Sequence, residues 1–432
     1  MVASPISAPR SAALKELVER GYFEQASDVE ALDRNLEQGM VTAYIGYDPT
    51  ARSLHVGNLL TIMALRVLQR HGHRPICLIG AGTALVGDPS GRSETRRLMT
   101  TEQIAENATS FRSQLERFLH FDRGVENDAF MLNNADWLGQ LGYLEFLRDI
   151  GRHFTVNRMI AAKTYRDRLE AELPLSFLEF NYQLLQAYDF WHLYHKHGCT
   201  LQMGGSDQWG NMIAGVELIR RSSAHSRATG TGTGTDAVQS LTCPLLTTPD
   251  GRKMGKTERG AVWLDPRKMA PFEYYQYWIN SDDSMTGRLL RLFTELPLDE
   301  ITALTDVTGA ALREAKNRLA FETTELLHGR DAATQAQTAS KQAFGGGGDW
   351  SAVSCVEIDT ATIKLIELVA HPSIAAFKSK RDARQRIESG AVRLNGAACA
   401  DPNHLIRVGD CGEQGLRLQA GKRNRFRVRL TG

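Results

Sequence analysis

Val41-Thr-Ala-Tyr-Ile-Gly-Tyr-Asp-Pro-Thr-Ala-Arg-Ser-Leu-His-Val-Gly-Asn58 decides the fold. Val41 to Ile45 is a β-branched and aromatic run that ends at Gly46, and Pro49 marks a turn. Apolar residues at helical spacing then run from about His55 to His71. Strand, loop and helix make half of a βαβ unit. Pro75-Ile-Cys-Leu-Ile79 completes it and ends in the small-residue loop Gly80-Ala-Gly-Thr-Ala84. Such units build parallel sheets, and ligands in those sheets sit at the C-terminal strand ends. Ala129-Phe-Met-Leu132 and Thr200-Leu-Gln-Met203 read as a third and a fourth strand, each running into a polar or Gly-rich loop.

On the N-terminal side, Ser11 to Gln38 reads as helical with a break at Gly21. On the C-terminal side, Pro271 to Gly329 is mostly helical, and Gly345-Gly-Gly-Gly348 has the composition of a linker. Beyond it, Ile363 to Val369 is apolar, Arg384 to Gly390 resembles a short basic helix, and Ala391 to Leu394 resumes as a strand. The expectation is an α/β chain with a Rossmann-like parallel-sheet domain over 1–245. A lysine-bearing mobile loop and helical domain would follow over 246–344, then a linker over 345–360 and a small basic α+β module over 361–432.

At 432 residues, with 42% hydrophobic and 23% charged residues, the chain has room for several cores and excludes a disordered or collagen-like class. The net charge of +1 conceals segregation. From Lys378 onward there are thirteen Lys or Arg against five Asp or Glu, ending in Lys422-Arg-Asn-Arg-Phe-Arg-Val-Arg429, so the tail is expected to grip nucleic-acid phosphates. The six cysteines are scattered without a Cys-x-x-Cys pair, which disfavours a disulfide framework or a zinc knuckle. Met1 to Arg10 holds no apolar run of signal-peptide length, so a cytoplasmic location is expected.

Several constellations carry chemistry. His55 and Asn58 stand at i and i+3 where a helix begins, a setting whose unpaired amides and positive dipole end suit phosphate, with Gly57 giving room. The plainer reading is local backbone capping. Lys253-Met-Gly-Lys-Thr257 follows Pro249-Asp-Gly251, and Lys253, Lys256 and Thr257 on such a loop suit a polyphosphate whose charge grows in the transition state. A solvated basic loop is the plainer reading. Tyr182, Gln186 and Asp189 share one face of an otherwise apolar helix from Glu179 to Lys196, and need partners in the core or in a ligand. Tyr44 lies near the end of the first strand. Gly204-Gly-Ser-Asp-Gln208 places Asp207 where a ribose would approach over Gly205, or is a tight turn. Gly87 to Arg96 combines Asp88 with Arg92 and Arg96. His192, His195 and His197 resemble a metal cluster but lack a facing set, so no metal site is expected.

Taken together, Tyr-Asp-Pro-Thr, His-Val-Gly-Asn, Gly-Asp-Pro-Ser-Gly, Asn-Asn-Ala-Asp-Trp, Leu-Gln-Ala-Tyr-Asp and Gly-Gly-Ser-Asp-Gln-Trp-Gly-Asn resemble a class I aminoacyl-tRNA synthetase of the bacterial tyrosyl type, from about Leu14 onward. The resemblance implies a Rossmann-like catalytic domain, a helical connection, an RNA-binding domain over 361–432, and a homodimer that joins L-tyrosine to tRNA(Tyr) through an adenylate. ATP is a substrate, Mg2+ accompanies it, and no tightly bound cofactor, membrane or DNA is involved. It implies that Tyr44 and Asp189 bind the phenol, and that Asp88, Tyr182 and Gln186 hold the ammonium group, with Asn134 and Gln208 in support. Thr50, His55 and Asn58 would meet the ATP phosphates with Lys253, Lys256, Thr257, Arg92 and Arg96. Asp48 and Asp207 would contact adenosine or ribose, with Gly57 and Gly205 giving room. Two departures stand out: Asn58 replaces a second His, and Met254-Gly-Lys-Thr257 replaces Met-Ser-Lys-Ser. Rivals are a tryptophan-specific synthetase, a small-molecule nucleotidyltransferase, and an RNA-binding protein that kept the fold without catalysis.

Overall fold

The computed structural model describes residues 8–90, 99–228, 238–249, 251, 253–257, 260–344, 350, 353, 355–377, 379–421 and 424–432. The chain forms two compact units, Met1–Leu246 with Arg291–Phe293, and Thr247–Leu290 with Thr294–Gly432.

The first unit is built on a six-stranded sheet of β1 (Gln25–Ala26), β2 (Thr42–Tyr47), β3 (Arg74–Ile79), β4 (Phe130–Asn133), β5 (Cys199–Gly205) and β6 (Gln239–Cys243), in the order β1-β6-β5-β2-β3-β4. β2 through β6 are parallel to their neighbours, and only β1 runs antiparallel, against β6. From β2 the chain builds outward through β3 and β4, then returns to lay β5 on the other side of β2. The strand order therefore reverses between β2 and β5, the place where open parallel sheets leave a crevice at their C-terminal ends. β2 ends at Tyr47 before Asp48, and β5 ends in Gly204 and Gly205 before Asp207.

The Val56–Arg70 helix that connects β2 to β3 buries Val56, Leu59, Leu60, Ile62, Met63, Leu65 and Leu68, so it is apolar nearly all round. The expected helical stretch from Ser11 to Gln38, with its break at Gly21, is two helices, Ala12–Arg20 and Val29–Gln38. Gly21, at φ +91°, ends the first in the left-handed region, and Asp28 caps the second by accepting from the Ala31 N–H. β1 and β6 were not apparent in the sequence. β6 is buried throughout although it carries Gln239, Ser240 and Thr242, a composition that reads as loop.

In the second unit, Lys256–Thr257 (β7) pairs antiparallel with Gly260–Ala261 (β8). The helices Pro271–Ile279, Leu312–His328 and Arg330–Phe344 pack on one another around buried Tyr274, Tyr275 and Trp278. The C-terminal module has a five-stranded sheet, β12-β11-β14-β15-β9, formed by β9 (Cys355–Ile358), β11 (Val392–Leu394), β12 (Ala397–Ala398), β14 (Leu416–Ala420) and β15 (Asn424–Leu430). A separate pair, β10 (Thr362–Lys364) and β13 (Leu405–Arg407), accompanies it. Leu365, Leu368, Ile387, Val392, Leu418 and Val428 form the core of this module. Within the span 345–360 expected as a linker, Cys355–Ile358 is a strand parallel to β15. Among the described residues, no helix is long and apolar enough to cross a membrane.

Candidate active site

The Phe177–His197 helix begins with a capping box between Ser176 and Glu179 and ends at Gly198, φ +62°. Its interior places Tyr182, Gln186 and Asp189 along one face, as the spacing required. The Tyr182 hydroxyl donates to Asp48 Oδ2 at 3.0 Å, and Thr83 Oγ1 donates to Asp48 Oδ1 at 2.9 Å. Asn134 Nδ2 donates to Thr83 Oγ1 at 3.0 Å and to Asp189 Oδ2 at 2.9 Å, while Asn134 Oδ1 accepts from the Gly82 N–H at 2.7 Å. Trp137 Nε1 donates to Asp189 Oδ1 at 2.8 Å. One continuous network thus runs from Tyr182 through Asp48, Thr83 and Asn134 to Asp189 and Trp137.

Two buried atoms at this cluster have no partner among the described residues, Tyr44 Oη and Gln186 Oε1. Buried polar atoms are nearly always hydrogen-bonded, so two orphans beside a satisfied network mark where a ligand's polar groups belong. Tyr44 is 1% exposed and tilts against Phe190 with ring centroids 5.5 Å apart. Burial, reinforced by the negative charge of Asp189, pushes its hydroxyl well above the ordinary phenol range, so it stays protonated and able to donate. Burial also pushes Asp189 up to about 7, against the pull of its hydrogen bonds from Asn134 and Trp137 and with the Asp48 charge adding to the rise.

Asp88 belongs to a second polar pair. Its Oδ2 accepts from Gln208 Nε2 at 2.7 Å and its Oδ1 from the Ser90 N–H at 2.9 Å, with Asn211 Nδ2 donating to Gln208 Oε1 at 3.4 Å. Gly205 precedes the Ser206–Gln208 turn, and a Cβ there would lie 2.9 Å from Asp207 Oδ1. Asp48, expected beside adenosine, accepts from the Tyr182 and Thr83 hydroxyls and so also anchors the Tyr182 cluster. Its backbone carbonyl accepts from the Thr50 N–H at 2.8 Å, and Thr50 is exposed.

His55 is the N-cap of its helix rather than a residue of the first turn. Its Nδ1 accepts from the Asn58 N–H at 3.3 Å, and Asn58 Oδ1 accepts from the His55 N–H at 3.1 Å, a reciprocal capping box. The plainer reading of this motif is therefore correct as far as it goes. It also has a chemical consequence: Nδ1 accepting fixes the neutral ring with its hydrogen on Nε2, the tautomer that can donate to an anion. Gly57 serves the cap directly, since a Cβ there would come within 2.7 Å of His55 Cε1.

Lys253, which is exposed and bridges Thr247, belongs to the second unit with Lys256 and Thr257, the two residues of β7. Arg92 and Arg96 lie outside the described residues. The sequence reading missed Trp137 and Thr83. Trp137 stands three residues after Asn134 and reads as an ordinary core aromatic, while Thr83 is hidden in a small-residue loop.

A family model described as tRNA synthetases class I (W and Y) matches residues 36–345. The chain thus belongs to the class I aminoacyl-tRNA synthetases. Tyrosine–tRNA ligases of Cereibacter sphaeroides (strain ATCC 17029 / ATH 2.4.9) and Paracoccus denitrificans (strain Pd 1222) are each 47% identical to the chain, over 98% and 96% of it and 99% and 98% of their own lengths. The crystal structure of a C-terminally truncated mitochondrial tyrosyl-tRNA synthetase from Aspergillus nidulans matches with TM-score 0.69 and 32% identity, covering 78% of this chain and 95% of that one. The chain belongs to the bacterial-type tyrosine–tRNA ligases.

Proposed function

We propose that the chain activates L-tyrosine with ATP, forming tyrosyl-adenylate and pyrophosphate, and then transfers the tyrosyl group to the 3′ adenosine of tRNA(Tyr). The observation that carries the choice of amino acid is the orphaned Tyr44 Oη beside the buried Asp189 carboxylate. A phenol satisfies both at once, accepting from Tyr44 and donating to Asp189. An indole N–H can donate but not accept, which disfavours tryptophan.

In this reading the ammonium group lies against Asp88, Tyr182 and Gln186, with Asn134 and Gln208 as supports, and the orphaned Gln186 Oε1 supplies one acceptor. The substrate carboxylate oxygen attacks the α-phosphorus as the bond to the bridging oxygen of pyrophosphate breaks. A carboxylate is already ionised at neutral pH, so no general base is needed. Catalysis then rests on positioning and on stabilising phosphoryl charge. His55, donating from Nε2 at a helix N-terminus, acts with Thr50, Asn58, Lys253, Lys256, Thr257, Arg92 and Arg96 on the departing pyrophosphate. Asp207 and Gly205 border the ribose. Mg2+ enters with ATP as part of the substrate.

Within the basic tail, Arg425 donates to the Ala343 carbonyl, Arg427 Nε to Val353 O at 2.5 Å, and Arg429 Nη2 to Glu413 O at 2.9 Å, so part of its hydrogen-bonding capacity is spent on the protein itself. Lys380, Arg381, Arg384 and Arg386 on the Lys380–Glu388 helix are exposed and better placed to meet phosphates. A homodimer is supported by unusual apolar exposure within residues 143–178, where Tyr143 is 64%, Leu144 78% and Phe177 71% exposed. The chemistry of a tRNA-charging enzyme with unpaired cysteines fits the cytoplasm. Filter assays with labelled tyrosine test the whole reading: label should become tRNA-bound only when ATP is present. Label that stays free with tRNA(Tyr) and ATP both supplied contradicts it.

A further inference from the structure

The Phe177–His197 helix holds the Trp137 indole at two points. Asp189 takes the indole N–H edge at 2.8 Å, and His192, one turn further along, lies on the indole face with ring centroids 4.3 Å apart and planes 14° from parallel. The three histidines that resemble a metal cluster in the sequence each meet an aromatic ring instead. His195 lies 4.4 Å from Trp191 and His197 5.6 Å from Phe130, centroid to centroid. Only His192 touches a residue that holds the phenol-binding carboxylate.

Trp137 needs outside support. It sits on Ala135–Leu138, a helix of four residues. The other donor to Asp189, Asn134, is itself fixed by Gly82 and Thr83, whereas the indole has a single donor and gives it to Asp189. Its orientation therefore depends on what packs against its faces, and the half-buried imidazole covers one of them. Burial pushes His192 below its ordinary range, and nearby His197, Lys196 and His195 add to this, so it stacks as a neutral ring.

We propose that His192 is a positioning residue for amino-acid recognition, stacking on Trp137 so that the indole N–H stays on Asp189 and water stays off that hydrogen bond. The proposal rests on the reading of Asp189 as the acceptor of the substrate phenol. His192 touches no substrate. It acts through Trp137 on a fully buried carboxylate that has two donors to hold its charge, and loss of one donor weakens the acceptor the phenol requires.

The test is tyrosine-dependent exchange of pyrophosphate into ATP by the full chain and its variants. His192→Leu, of similar bulk but without a flat face, should raise the KM for tyrosine about tenfold, the loss expected for one hydrogen bond to a charged group. The KM for ATP and kcat should stay within about twofold. His192→Phe keeps the flat face and should restore the tyrosine KM. Trp137→Phe should reproduce the His192→Leu defect, and the double variant should be no worse than Trp137→Phe alone, because both changes remove the same interaction. An unchanged tyrosine KM in His192→Leu, equal damage from Leu and Phe, or independent effects in the double variant would overturn the proposal. If His192→Leu fails to fold, the pairing of a normal His192→Phe with a defective Trp137→Phe decides the matter in the same way, and the reverse pairing overturns it. Asp189→Asn separates the two levels of argument: a normal tyrosine KM in that variant means that the phenol reading, rather than the role of His192, has failed.

Discussion

Asn134 Nδ2 lies 2.9 Å from Asp189 Oδ2, joining the turn after β4 to the middle of a helix 55 residues away in sequence. The bond is fully buried, and it shows that Asp189 is held as an ionisable acceptor rather than hidden as a packing defect. That distinction yields a pH test with two opposite signs. The carboxyl titrates at about 7, above its unfolded value, so the native state binds the proton more tightly. The associated stability is present at low pH and is lost as pH rises through about 7. Phenol recognition needs the ionised form and moves the other way. The tyrosine KM should fall as pH rises through this window, while denaturant titrations show stability falling. Asp189→Asn should flatten both profiles. Parallel profiles for wild type and variant contradict the assignment.

Tyr44→Phe separates binding from folding. The hydroxyl is buried without a partner, so removing it should leave stability unchanged or raise it by up to about 1 kcal/mol. The same change should raise the tyrosine KM about tenfold, since a donor to the substrate phenol is lost. It should also narrow the preference for tyrosine over phenylalanine. A site built around a hydroxyl rejects the analogue lacking it by about 10⁴–10⁵, a range already known for tyrosyl-tRNA synthetases. Thermal unfolding and pyrophosphate exchange, measured side by side, check the pair of expectations.

His55 has two jobs that substitution can divide. His55→Ala should cost about 1 kcal/mol through loss of the cap and should also slow adenylate formation. His55→Ser supplies a capping oxygen for the Asn58 N–H, so it should recover the stability without recovering the rate. If the serine variant is as fast as wild type, the ring does not act on phosphate.

The basic residues of the C-terminal module should divide in the same manner. Arg381→Glu with Arg384→Glu should weaken tRNA charging, flatten its salt dependence and spare pyrophosphate exchange, because both side chains are exposed. Arg425→Ala should instead destabilise the module, since its guanidinium donates to the Ala343 carbonyl and lies 5.0 Å from the Trp350 ring. Charging measured over a salt series, together with unfolding curves, distinguishes the two classes.

The parts of the fold legible in the sequence were those whose composition and burial agree. Val41 to Ile45 and the helix after His55 are apolar where the structure buries them. β6 is buried with Gln239, Ser240 and Thr242 inside, so no apolar period announces it. Cys355–Ile358 was obscured by the glycines before it, since strand pairing with β15 depends on a partner some seventy residues later. Within the site, the Tyr182, Gln186 and Asp189 stripe was visible because helical spacing alone brings those residues to one face. Thr83 and Trp137 join the network only through tertiary contact. Asp48 joins the network as well, because its motif says that it sits at a strand end but not which hydroxyl reaches it. Charge along the sequence also does not reveal which backbone carbonyls the arginines of β15 meet.

The central claim is that the crevice beside Tyr44 and Asp189 selects tyrosine for adenylation. Exchange of labelled pyrophosphate into ATP, measured with each of the standard amino acids in turn and without tRNA, tests it most directly. Exchange should respond strongly to tyrosine and negligibly to phenylalanine and tryptophan. Absence of exchange with tyrosine, or an equal response to phenylalanine, would contradict it.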